Sequence, residues 1–198
     1  MKNGRGWLFH LFLAFGATWV AGAPLTSLER QRLVAHLEMT ENWLRDEVQG
    51  LSAAQAQFRP APEGWSILEV VDHLVVAEQI YWQDFTKAMK APPISQLPPG
   101  ADADVLWYGI DRSQRQKALA AEMPKGQLRD VRAGLDALSK LRAQMLRYVK
   151  TTQEELRNRL VQREGCDAYQ WLVLISAHAQ RHILQIREIK ADPKFPKK

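Results

Sequence analysis

Four long stretches of this chain repeat apolar residues every three or four positions, a period that commits them to helices packed on one another. The first runs from Ser27 to Val48, with Leu33, Leu37, Leu44 and Val48 on one face. Thr26 and Glu29 have the spacing of a capping box at its start, and Gly50 ends it. The second begins behind Ser66, with Glu69 again at capping-box spacing, and continues to Lys90 through Ile67, Val71, Leu74, Tyr81 and Phe85. The third spans Leu128 to Lys150 through Leu135, Leu138, Leu141, Met145 and Tyr148. The fourth runs from Asp167 to Lys190, with Trp171, Ile175, Ile186 and Ile189 inward. Nothing has the alternation of a strand. Residues 51–65 read as a Pro-containing loop, and 91–127 as a longer connection carrying Pro92, Pro93, Pro98 and Pro99. A helix of ~24 residues is ~36 Å long, and extended chain covers ~3.3 Å per residue. The connection is therefore long enough to run back along a bundle and set the third helix parallel to the second. The expected architecture is one all-α domain over residues 24–190, a four-helix bundle with a long crossover between helices two and three.

The ends of the chain have a different character. Lys2 and Arg5 precede an apolar run from Trp7 to Val20, which the small residues Ala21, Gly22 and Ala23 follow. That order is the pattern of a secretory signal peptide. The apolar run is shorter than the ~20 residues that span a bilayer, which favours a cleaved signal over a membrane anchor. Residues 1–23 are accordingly expected to direct export to the periplasm or the cell exterior, with no stable membrane insertion afterwards. Loss of Lys2 and Arg5 takes the net charge from +5 to +3. With its bases scattered, such a chain lacks the footprint of a nucleic-acid binder. Cys166 is the only cysteine, so an intramolecular disulfide and a cysteine-based zinc site are both excluded. The basic segment 191–198, with Pro193 and Pro196, is expected to be a solvated tail.

Chemistry enters on the fourth helix. At ~100° per residue, Trp171, Ile175, His178, His182, Gln185 and Ile189 fall in one narrow stripe. Each imidazole there needs a partner, since an unpaired buried polar group costs ~1–3 kcal/mol. Two rings at i, i+4 project from one face a turn apart and can share one ion. His73 on the second helix is the third candidate ligand. A lone histidine on a helix is more often a hydrogen-bonded residue than a ligand, and the pair is what raises a metal to an even choice. His36, toward the edge of the first helix's face, is left out of the ligand set. Glu78 shares the central face of the second helix with Leu74 and Tyr81 and must be paired or protonated. Two roles stay open for it: a catalytic base, or a buried salt bridge to an arginine of the third helix. Gln185 is placed either to orient His182 or a bound water, or to bridge helices. Trp43 and Trp65 are candidates for a pocket mouth, with the core as their alternative.

Taken in order, these segments resemble a known family. They are Leu51-Ser52 with Gln55, the run from Trp65 to Leu74, Pro124-Lys125-Gly126, Glu155-Leu156-Arg157, Gly165 to Leu172, and His178 to Ile186. Together they are similar to the DinB/YfiT-like superfamily over most of the mature chain. The resemblance implies an up-down-down-up bundle with a metal carried by His73, His178 and His182. All-nitrogen ligation suits one divalent transition metal, with zinc, nickel or iron expected first and copper also compatible. Three imidazoles leave open positions, the mark of a catalytic rather than a structural site, where zinc can activate water or bind a thiolate. Two functions follow. One is a metal-dependent hydrolase or transferase, including a thiol transferase, acting on a small molecule. The other is a non-catalytic metal-binding or stress-response module. Export is where this chain departs from the family's usual cytoplasmic location, and self-association into a homodimer stays open.

Overall fold

The computed structural model describes residues 23–94 and 102–197, so the expected signal segment lies outside the described residues except for Ala23. Among the described residues six α-helices are formed: α1 Ser27–Val48, α2 Ala53–Gln57, α3 Ile67–Lys90, α4 Asp102–Ile110, α5 Val131–Thr151 and α6 Ala168–Lys190. Helices α1, α3, α5 and α6 are the four long stretches. Both expected capping boxes close, Thr26 with Glu29 and Ser66 with Glu69. The third stretch starts later than its apolar pattern suggests, because Asp130 caps it by accepting from the Ala133 N–H at 2.8 Å.

Five elements depart from the sequence reading. Residues 51–65 hold the short helix α2, capped reciprocally by Ser52 and Gln55 and too short for a period to show. The long connection contains α4 and a 3-10 turn, Ala120–Glu122. Two strands of two residues each, β1 Leu160–Val161 and β2 Cys166–Asp167, pair antiparallel between α5 and α6.

Side-chain contacts give the helices their directions. Arg30 reaches the Thr152 carbonyl at 2.9 Å and Arg45 reaches Ser139 at 3.0 Å, so α1 and α5 run in opposite senses. His36 meets Ser176 while Glu47 meets Arg187 and Lys190, so α1 and α6 run together. On α3, His73 faces His182 while the Tyr81 carbonyl accepts from Trp171, so these two helices oppose. Glu78 faces Arg142, and a Cβ at Gly134 would run into Val71, so α3 and α5 run together. The connection between α3 and α5 therefore has to travel back along the bundle. It does so against α6, where a Cβ at Gly109 of α4 would come within 2.8 Å of the Ala177 carbonyl oxygen. Only glycine allows that approach.

The core is split in two. One apolar cluster includes Leu33, Leu37, Phe85, Met145, Trp171 and Ile175. The other includes Leu44, Val71, Leu74, Leu138, Ile183 and Ile186. Thr40, Arg142 and His178, all buried, lie between them in sequence on α1, α5 and α6, and the buried Glu78 of α3 pairs with Arg142. The inward face of α5 shifts to suit this layer: Arg142 and Val149 are buried, whereas Leu141 and Tyr148 are only half-buried. The C-terminal segment is not a free end. Phe195 packs edge-on against Phe58 with ring centroids 5.5 Å apart, and Gln55 donates to the Pro196 carbonyl at 2.9 Å. Cys166 is half-buried, and burial pushes its thiol up to about 12, which makes it an unreactive group.

Candidate metal centre

The i, i+4 spacing on α6 places the His178 and His182 rings a turn apart, and the opposed helix α3 brings His73 to the same point. Their Nε2 atoms form a near-equilateral triangle: His73 to His178 3.2 Å, His73 to His182 3.1 Å, and His178 to His182 3.2 Å. These are the three candidates named from sequence, and among the described residues they form one group able to hold an ion. His73 and His178 are 1% and 4% exposed, while His182 is half-buried and marks the open side.

Hydrogen bonds fix what these nitrogens present to one another. His73 Nδ1 lies 2.7 Å from the Glu122 carbonyl oxygen, which can only accept. Nδ1 therefore carries the proton and Nε2 a lone pair. His182 Nδ1 likewise donates to Gln185 Oε1 at 2.8 Å. Two inward lone pairs thus face each other at 3.1 Å, an arrangement that repels unless a cation lies between them. Bonds of ~2.0–2.1 Å place ligating nitrogens ~3.3–3.4 Å apart at tetrahedral angles and ~2.8–3.0 Å apart at right angles. The observed triangle falls between these limits, so the donor set fits a divalent metal. Among the described residues His178 Nδ1 is buried with no hydrogen-bond partner, so no such bond fixes the tautomer of that ring.

The surroundings keep the rings neutral, as ligands must be. Burial pushes all three imidazoles down, His178 well below its ordinary value and His182 to about 3. Proton competition for the metal nitrogens, expected from residue type in the ordinary imidazole range, is thereby moved to lower pH. A stability effect follows. An unfolded chain's histidines take up protons below about 6.5, where the buried rings do not. Below that pH the unfolded state binds more protons, so stability falls with acidification. In metal-free protein the expected loss from His182 approaches about 1.4 kcal/mol per pH unit and continues toward pH 3, with His73 and His178 contributing in the same direction. Denaturant unfolding at pH 7 and pH 5 measures it, and equal stability at both would contradict the buried neutral triad.

The remaining sequence candidates separate. Gln185 orients His182, as described. Both oxygens of Glu78 are taken by Arg142, from Nε at 2.7 Å and Nη2 at 2.5 Å. Arg142 Nη1 also reaches the Leu37 carbonyl and Thr40 Oγ1, both at 3.2 Å. A carboxylate held this way on both oxygens is not free to serve as a base toward a molecule at the histidines. Trp65 lies against the site, its ring centroid 4.9 Å from that of His73 and 6.4 Å from that of His182. Trp43 lies instead on the outer surface, with the Arg187 guanidinium 5.7 Å from its ring. His36 contacts Ser176, not the triad.

Sequence reasoning missed Glu122, Tyr81 and Arg163. Glu122 supplies its carbonyl to His73 and its carboxylate to Arg163 at 3.0 Å, with the Tyr81 hydroxyl 3.4 Å away. Burial pushes the Glu122 carboxyl up while Arg163 pulls it back. The Tyr81 ring centroid is 5.2 Å from that of His178, and burial raises its phenol. Tyr81 was legible only as an apolar-face residue. Glu122 sits in a connection without periodicity, and no local signal singles it out. Its turn is held by Asp72, whose carboxylate accepts from the Gly126 N–H at 2.6 Å, where Gly126 turns the chain at φ +66°.

A helical bundle in which two imidazole nitrogens of one helix meet a third from its opposed neighbour has a donor group able to hold a metal ion. A family model of the DinB superfamily matches residues 27–186. The chain belongs to that superfamily. It is 27% identical over 153 residues to the uncharacterised protein YuaE of Bacillus subtilis (strain 168), covering 76% of this chain and 91% of that one. Its fold is similar to that of YfiT from Bacillus subtilis, a probable metal-dependent hydrolase with an unusual four-helix bundle topology. That similarity has a TM-score of 0.57 at 17% identity, over 84% of this chain and 88% of YfiT. Among the described residues no helix is long and apolar enough to cross a membrane.

Proposed function

We propose that this chain is an exported, metal-dependent hydrolase or transferase that acts on a small molecule at His73, His178 and His182. The observation that carries it is the meeting of three Nε2 atoms at 3.1–3.2 Å, two of them fixed as inward lone pairs. A divalent zinc, nickel or iron ion bound there would supply Lewis-acid polarisation of a molecule entering its open positions. The protein's own part is positional. The Glu122 carbonyl and Gln185 hold two rings in the ligand tautomer, and Trp65 walls the centre beside His73 and His182. The half-buried His182 marks the side of entry. A metal-storage or purely structural module would call for a closed site with a fourth protein donor. Among the described residues the group has three members, which favours chemistry. YfiT's description as a probable metal-dependent hydrolase supports the hydrolytic alternative.

Export is supported by the order Lys2 and Arg5, apolar Trp7 to Val20, then Ala21, Gly22 and Ala23. Protein made in its native host should be recovered from the periplasm or medium, with a mass that lacks the first two dozen residues. Its turnover, screened on esters, amides and thiol acceptors, should stop on chelation and return with added metal. Intact protein from Met1 in the cytoplasm would overturn export, and turnover indifferent to chelation would overturn metal dependence.

A further inference from the structure

We propose that Arg163 is a positioning residue for the metal centre, acting through Glu122 to hold His73 in its ligand form. Arg163 lies between β1 and β2, in a turn that Gly165 closes at φ +65°. Two strands of two residues each add little stability of their own. What the turn does is carry one guanidinium across to two other elements. Arg163 Nε donates to Asp84 at 2.6 Å, and Nη1 donates to Glu122 Oε1 at 3.0 Å. Asp84 is on α3, eleven residues beyond His73 and therefore three turns along the same face. Arg163 thus ties the 3-10 turn to the helix that carries the ligand.

The tie matters because of what the same residue does with its backbone. Glu122 is 5% exposed and ends a turn of three residues, in a connection whose residues 113–117 are exposed. Its carbonyl is the acceptor that keeps the His73 proton on Nδ1. Among the described residues Arg163 is the cation paired with its carboxylate. Without that partner a buried carboxylate gains by turning outward to water, and its carbonyl moves with it. His73 then divides between its two tautomers, and the Nε2–H form offers the metal a proton in place of a lone pair.

This inference rests on the metal-site reading, and its test separates the two. Zinc affinity is measured by chelator competition on the mature protein and its variants. Arg163→Gln is expected to weaken binding about 10-fold, the low end for loss of an outer partner of a ligand. Arg163→Lys should restore most of it. Arg157→Gln is the control, since Arg157 joins Glu29, Asp102 and Asp167 away from the histidines. It should lower thermal stability while leaving affinity within about twofold. In metal-free wild type, nitrogen NMR should show His73 protonated at Nδ1, and in Arg163→Gln a mixture of tautomers. Should Arg163→Gln fail to fold, Asp84→Asn loosens the hold of α3 on Arg163 while keeping Glu122 intact, and it carries the same expectation in smaller degree. Unchanged affinity and an unchanged His73 tautomer in the variant would overturn the role of Arg163, as would an equal loss in Arg157→Gln. Wild type that binds neither zinc, nickel nor iron would overturn the metal reading itself, whereas the tautomer comparison would still decide the role of Arg163.

Discussion

Replacing Arg142 by methionine is expected to cost about 3–5 kcal/mol of folding stability, because it strands the Glu78 carboxylate in the middle of the bundle. The two side chains are 2% and 1% exposed and joined by two charge-assisted hydrogen bonds. Removing one partner leaves a buried charge without compensation, and it also takes a donor from the Leu37 carbonyl and Thr40. For a domain of this size the loss corresponds to roughly 6–20 °C in Tm. Replacing both residues together, Glu78→Leu with Arg142→Met, should recover most of it, since a well-packed apolar pair is often as stable as a buried ion pair. Glu78→Gln should show a loss similar to that of Arg142→Met, with zinc affinity little changed. Denaturant unfolding of the single and double variants measures this directly. Full stability in Glu78→Gln together with lost turnover would return Glu78 to a catalytic role.

His73→Ala is expected to weaken metal binding by more than about 100-fold, beyond the range seen when only an outer partner of a ligand is removed. Two nitrogens on one turn of α6 cannot complete the triangle, and the opposed α3 has no other donor in the group. The variant should stay helical by circular dichroism. Its two apolar clusters each draw on all four long helices, and His73 belongs to neither. His178→Ala and His182→Ala should lose affinity likewise. Near wild-type binding in any of the three would remove that histidine from the site.

How far the sequence reaches into this structure depends on the range of each interaction. Helix boundaries and capping boxes at Thr26 and Ser66 were legible because they are set by residues three positions apart. The His178/His182 pair was legible for the same reason, as two polar residues on an apolar stripe of one helix. His73 was legible as a third candidate, but its place in one ligand set with the pair came from the resemblance, since 105 residues separate it from His178. Arg142 was anticipated only as an unnamed arginine of the third helix, because a guanidinium on a helix face carries no mark of burial. The 3-10 turn, the β1–β2 pair and Arg163 left no trace, being held by contacts far along the chain with no period of their own. The C-terminal segment misled for a related reason. Its basic, proline-containing composition describes solvent exposure, but one aromatic residue, Phe195, finds a partner in Phe58.

X-ray absorption at the metal edge of the metal-loaded mature protein tests the central claim most directly. Three imidazole nitrogens at ~2.0–2.1 Å, completed only by light atoms of solvent or substrate, are predicted for zinc. One imidazole should disappear from the spectrum in His73→Ala, at whatever metal occupancy can be forced. A coordination sphere containing sulfur, one built of oxygen alone, or a spectrum that His73→Ala leaves unchanged would contradict a metal centre on these three histidines.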